Sequence, residues 1–248
     1  MSDLMIRSVP SAQSTCPLAV AGSPYECKWK DPYSSHAQIL SFLTPGKDWR
    51  VLDVGAAHGY LAAVLQDRGF RVTALEGSAD LAREAAKYCE KTIVADLDGF
   101  VPDFDEPFDT IIFGDVLEHL KDPLRVLVSF SRALKPGGQV IISIPNIANV
   151  YVRLSLLLGK FDYQDRGILD RTHLRFFTRK TFRQFIHDAG MEITDLRATP
   201  IPLSMVVPDK FQGKLFNAVH ACNAWLANRL MTLFGYQFVA VARMRSAA

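Results

Sequence analysis

One segment constrains this chain more than any other: Arg50-Val51-Leu52-Asp53-Val54, then Gly55-Ala56-Ala57-His58-Gly59, then Tyr60 to Asp67. The first five residues read as a buried strand, and the last eight as a helix closed by Gly69 just past its end. Glycines in such a turn let backbone approach a ligand closely, and the helix start offers unpaired N–H groups. The spacing is Gly55-x-x-x-Gly59, with Ala57 where a dinucleotide fingerprint has the middle glycine that admits pyrophosphate. The turn therefore favours a nucleoside-type ligand that has no pyrophosphate.

An alternation follows from this unit. Strands are expected at Phe70 to Leu75, Thr92 to Ala95, Phe108 to Phe113 and, after the turn Lys135-Pro136-Gly137-Gly138, Gln139 to Ile144. Between them lie a helix capped by Ser78 or Asp80 and running to about Cys89, and one opened by Asp122-Pro123 and running to Leu134. Apolar strands alternating with amphipathic helices imply an α/β domain with a parallel sheet covered on both faces. Beyond Pro145 the reading is a helix from Ile147 to Leu158, an aromatic stretch without regular structure from Phe161 to Phe177, and a helix from Arg179 to Ala189. A strand over Met191 to Leu196, helical spacing over Lys210 to Leu233 and a last strand over Tyr236 to Ala242 complete it. Residues 1–23, rich in Ser, Ala and Pro, read as a flexible tail. Tyr25 to Leu43 reads as one or two lid helices, and residues 24–248 as one domain.

Three acids stand at three successive strand ends. Asp53 precedes the glycine turn. Glu76 lies 21 residues after Gly55, where a carboxylate can accept from both ribose hydroxyls. Asp96, with the backbone amide of Leu97, follows the third strand, where the two can read an adenine edge. Singly, each has a plainer reading as a turn residue, a surface acid or a loop cap. Together with Phe108-Asp109 and Leu134-Lys135-Pro136-Gly137-Gly138, the pattern resembles the class I S-adenosylmethionine-dependent methyltransferases over about residues 35–243. The resemblance implies a single Rossmann-like domain of seven strands, the last antiparallel beside the fifth, with a helical insertion before it. It also implies S-adenosylmethionine held by Asp53, Gly55, Ala57, Gly59, Glu76, Asp96 and Leu97, with Asp115 beside it.

The fourth strand runs into Gly114-Asp115-Val116-Leu117-Glu118-His119-Leu120. In a helical turn, Asp115, Glu118 and His119 share a face at i, i+3 and i+4. Two carboxylates and an imidazole suit Mg²⁺ or Mn²⁺; the plainer reading is a capped helix start. His173, after the fifth strand, belongs at the same sheet edge. D-x-x-E-H with a later His before a Phe-Thr-Arg helix start is similar to two metal-dependent O-methyltransferase groups. One is the ubiquinone-pathway catechol type, and the other methylates the 3′-terminal ribose of small RNAs. That resemblance makes Asp115, Glu118, His119 and His173 candidate metal ligands; those groups more often have Glu at the place of Asp115. His119, His173 and Asp115 are the candidate catalytic residues, either histidine serving as general base without metal. Ser143 to Asn149 and Leu158 to His173 resemble bacterial glycan-associated methyltransferases, which implies a sugar, glycan or other small-molecule acceptor.

Composition excludes other classes. The 248 residues carry a formal charge of only +2, which disfavours nucleic acid as partner. The 4 cysteines have no framework or metal spacing and read as reduced thiols of a soluble cytoplasmic protein. No apolar run is long enough to span a bilayer, although the spacing of Lys210 to Leu233 leaves room for peripheral membrane contact.

Overall fold

The structure is a computed structural model that describes residues 31–44, 46 and 48–245. The expected tail over residues 1–23, together with Tyr25 and Trp29 of the expected lid, lies outside the described residues. Seven strands form one sheet: β1 (Arg50–Val54), β2 (Arg71–Glu76), β3 (Lys91–Val94), β4 (Phe108–Gly114), β5 (Leu134–Pro145), β6 (Met191–Thr199) and β7 (Gln237–Met244). Their order is β3-β2-β1-β4-β5-β7-β6, with β1 to β5 parallel and β7 antiparallel to both β5 and β6. The last strand thus sits beside the fifth, as expected.

The alternation of inward side chains explains why both faces are covered. Leu52, Val54, Ile111, Phe113, Val140 and Ile142 fill the core on one face, and Val51, Ile112, Ile141, Val239 and Val241 the core on the other. Helices α2 (Tyr60–Asp67), α3 (Ala79–Ala85) and α4 (Pro123–Ser131) are the crossovers. Ser78 caps α3 and Asp122 caps α4, with Pro123 in its first turn. Helix α1 (Ser35–Ser41) lies on the second face, where Ile39, Leu40 and Leu43 join that core. From β1 the chain moves outward through β2 to β3, then returns to β4 on the other side of β1. The carboxyl ends of β1 and β4 therefore flank a topological switch point, where open α/β sheets bind ligands.

The structure departs from expectation at element ends. The Lys135-Pro136-Gly137-Gly138 turn is absorbed into a 12-residue β5, with the pairing register shifting between Phe108 and Thr110 and Gly137 at φ 77°. Helix α5 (Val150–Leu157) starts three residues late because Asn149 is its cap, accepting from the Tyr151 N–H at 2.9 Å. The expected 210–233 helix divides into α7 (Lys214–Arg229) and α8 (Met231–Phe234) at Leu230, which is not helical. The buried Asn146 side chain holds the turn after α8, donating to the Gly235 carbonyl at 2.8 Å. Helix α6 (Arg179–Asp188) carries the capping box Thr178/Thr181. Among the described residues no helix is long and apolar enough to cross a membrane; α7 exposes Leu215, Val219 and Trp225.

Candidate active site

The glycine turn is anchored from below by β2, since the N–H groups of Gly55 and Ala56 donate to the Leu75 carbonyl at 2.7 and 3.2 Å. Gly55, Ala57 and Gly59 all take positive φ, which glycine adopts without strain and alanine does not. A Cβ on Gly59 would stand 2.7 Å from the Ala85 Cα, and one on Gly55 would stand 2.5 Å from a Val116 methyl. The turn is thus pressed on one side against α3 and on the other against the residues that follow β4. Glu76 holds its rim: one oxygen accepts from the Ala57 N–H at 2.8 Å and the other from the Ser78 N–H at 2.9 Å. Asp53 lies beneath, 3% exposed, with Oδ2 lacking any hydrogen-bond partner. Burial, and then the Glu76 carboxylate, push the Asp53 carboxyl up to about 7. Asp96 is exposed and accepts from the Asp98 N–H at 3.0 Å, while Leu97 packs against the core.

At the end of β4 the chain turns sharply. Asp115 takes φ 57°, and a short 3-10 turn over Leu117–His119 replaces the helical turn expected from the sequence. This redirects Asp115, whose Oδ1 accepts from the Ser143 hydroxyl on β5 at 2.7 Å. Glu118, His119 and His173 instead converge, offering ligand atoms that all lie within 4.8 Å of one another. Asp115 stands apart from that trio. The backbone brings His173 there, because the N–H groups of Leu174 and Arg175 both donate to the Glu118 carbonyl, at 2.8 and 3.0 Å.

The protonation pattern of the trio follows from its hydrogen bonds. His173 Nδ1 faces the Ile168 carbonyl at 3.2 Å, so it carries the proton and leaves Nε2 with the lone pair, 4.0 Å from Glu118 Oε1. The Thr172 hydroxyl donates to Asp170 at 2.6 Å, so His119 Nδ1 donates to that hydroxyl at 3.0 Å. Glu118 is 1% exposed, and neither carboxylate oxygen has a hydrogen-bond partner. Burial, then Asp115, push its carboxyl well above the usual range, while burial, then His119, pull His173 down. Two imidazoles and a carboxyl whose oxygens have no hydrogen-bond partner are a donor set that fits a divalent cation. The supporting Asp170-Thr172-His119 chain was not singled out from the sequence. Its signal is Asp-x-Thr-His, in which Asp170 also accepts from the Thr172 N–H at 2.8 Å.

A switch-point glycine turn, an acid ending β2 and an antiparallel strand beside β5 together define an S-adenosylmethionine-dependent methyltransferase. A family model described as a methyltransferase domain matches residues 29–196, and the chain belongs to that family. It is similar to a ubiquinone biosynthesis O-methyltransferase of Pseudomonas paraeruginosa, 30% identical over 154 residues, 59% of this chain and 66% of that protein. It is also similar to a tRNA 5-carboxymethoxyuridine methyltransferase of Escherichia coli, 30% identical over 139 residues, 53% of this chain and 52% of that protein. The chain thus spans about half to two thirds of the length of these relatives. A solved S-adenosylmethionine-dependent methyltransferase of Archaeoglobus fulgidus shares the fold at 16% identity and a TM-score of 0.56, covering 84% of this chain and 91% of that one.

Proposed function

We propose that the protein transfers the methyl group of S-adenosylmethionine to a hydroxyl of a small diol, such as a sugar or glycan end, activated at Glu118, His119 and His173. The observation that carries this reading is the convergence of buried Glu118 and His173 with half-buried His119, the Glu118 carboxyl having no hydrogen-bond partner. The printed name of the Pseudomonas relative, an O-methyltransferase of ubiquinone biosynthesis, supports an oxygen acceptor and keeps a catechol-like diol as the second reading.

On the donor side, the turn from Gly55 to Gly59 and the Glu76 carboxylate bind and orient the nucleoside end, with Asp53 buried beneath. When bound, S-adenosylmethionine supplies an electrophilic methyl on a positively charged sulfur, which leaves as a neutral thioether when the acceptor oxygen attacks in line. On the acceptor side, Glu118, His119 and His173 would hold a Mg²⁺ or Mn²⁺ ion, whose chemistry is to lower the pKa of an adjacent hydroxyl. Asp170, through Thr172, orients His119, and the Ile168 carbonyl orients His173, whose Nε2 stands 4.0 Å from Glu118 Oε1. In the metal-free version, an imidazole lone pair takes the hydroxyl proton directly.

A chelator tests the metal. In excess EDTA, turnover of a diol panel is expected to vanish and to return with Mg²⁺ or Mn²⁺, while S-adenosylhomocysteine binding is unchanged. Full activity in EDTA would remove the metal and leave the histidine base.

A further inference from the structure

An open concavity of ≈ 570 Å³ lies where α5 meets the start of α6, and its wall is strongly basic: Arg153 from α5 and Arg179, Lys180 and Arg183 from α6, together with Ala148, Thr178 and Thr232. Among the described residues, no carboxylate pairs with any of these four cations. Four unpaired positive charges in one hollow exceed the formal +2 of the whole chain. Arg179 and Arg183 stand one helical turn apart, where like charges repel and cost stability. The helix is pinned in that orientation by Phe182, Phe185 and Ile186, which are buried in the core. Arg153 is also held, its Nε donating to the Ala148 carbonyl at 2.7 Å, which leaves the outer guanidinium N–H groups to point elsewhere. A concave set of exposed donors without carboxylate partners, three of them guanidinium groups, is an arrangement that can take phosphate oxygens in bidentate fashion.

We propose that this hollow is an anion subsite for the phosphate or diphosphate of the acceptor. The proposal rests on the reading that the acceptor hydroxyl is activated at the Glu118 trio. The chain itself joins the two places: His173 lies five residues before Thr178, a stretch that reaches at most ~18 Å when fully extended. The segment between them is tied to the end of β5, where the Ile147 N–H donates to the Phe177 carbonyl at 3.0 Å. One acceptor extended enough to bridge that span, with its hydroxyl at the trio and its phosphate in the hollow, can touch both. A compact ligand is favoured over a polynucleotide because beyond the hollow the cations are interspersed with acid, Lys180, Arg183 and Arg245 sharing the next surface with Glu192. Further along α6 come Asp188, which accepts from Gln184 at 2.7 Å, and then Glu192 on the next strand. A nucleic-acid track would need the positive stripe to continue.

The test is calorimetric titration of the full-length protein with inorganic pyrophosphate, in EDTA so that chelated metal plays no part. Saturable binding is expected, weaker for inorganic phosphate, and about tenfold or more weaker in the exposed double variant Arg179→Ala/Arg183→Ala. His173→Ala should bind pyrophosphate like the parent, and S-adenosylhomocysteine affinity should be the same in all three proteins. No saturable binding, or equal binding in the double variant, overturns the subsite while leaving the trio's chemistry standing. Displacement of pyrophosphate by single-stranded RNA, with affinity rising with oligonucleotide length, overturns it in favour of a nucleic-acid surface. Intact pyrophosphate binding together with undiminished turnover by His173→Ala would do the reverse, sinking the trio's role and keeping the subsite.

Discussion

The two sides of the switch point hold carboxylates in opposite conditions. On the donor side, Glu76 is satisfied by the protein's own backbone, with both oxygens accepting N–H groups of the turn it supports. On the acceptor side, Glu118 is more deeply buried and has no hydrogen-bond partner at either oxygen. Orphaned polar atoms in a protein interior are rare because each costs about 1–3 kcal/mol of lost hydration. Under the proposed function, the donor side thus supplies its own carboxylate with backbone N–H groups, whereas the acceptor side leaves its carboxyl without a hydrogen-bond partner. The two remain in physical contact, since Val116, just past β4, blocks the space above Gly55.

The sharpest way to break this contrast is to remove an acceptor-side imidazole. His173→Ala is expected to lower kcat by roughly 10²–10⁴, the range for loss of a positioned acid–base or metal-binding group, with S-adenosylhomocysteine affinity unmoved. Parallel loss of turnover and donor affinity would mean that the halves form one unit, and the division drawn here would fail. Isothermal titration beside steady-state kinetics distinguishes the two outcomes.

Asp53 is the donor side's exception, and stability against pH tests it. Its carboxyl is raised from 3.8 to about 7, with burial as the larger cause. A carboxyl raised on folding favours the native state only while protonated, so its contribution is intact below its unfolded value and fades as pH climbs to the folded one. Relative to Asp53→Asn, the parent should be equally stable near pH 4, lose ground between pH 4 and about 7, and level off above. The full difference is on the order of 4 kcal/mol at most. Thermal melts at pH 4, 6 and 8 would read it. A variant less stable than the parent at pH 8 would show Oδ2 satisfied and the exception illusory.

Most of the donor side was legible in the sequence because it is made of local rules. A strand ending in Asp53, two glycines four apart and an acid ending the next strand are fixed by spacing along the chain, and the structure keeps them in register. The acceptor side depends on folding. Asp115, Glu118 and His119 share a face only if residues 115–120 are helical; the left-handed Asp115 breaks that face and sends its carboxylate to Ser143. Nothing local announces the switch, because Ser143 is 28 residues away on another strand. His173 was within reach because strand neighbours place their following loops at one edge. The Asp170-Thr172 support shows locally only as Asp-x-Thr-His, and the basic hollow needed coordinates because it joins cations of α5 and α6, helices legible one by one but not as neighbours.

The smallest effect expected comes from Glu76→Gln, and it sharpens the contrast most finely. Glutamine keeps the size and one carbonyl acceptor but replaces the second with an NH₂ group, so it cannot accept from both Ala57 and Ser78. One of the two backbone N–H groups then faces a donor, and the ribose loses an anionic acceptor. Loss of a hydrogen bond involving a charged group is worth about 1.5–3 kcal/mol, so S-adenosylhomocysteine binding should weaken roughly 10- to 150-fold. The response of turnover to added Mg²⁺, measured at saturating donor, should stay that of the parent, because Glu76 has no contact with the trio. A changed metal response at saturating donor would mean that the turn's geometry reaches Glu118 through Val116, and the preformed cradle would then be part of the acceptor centre as well.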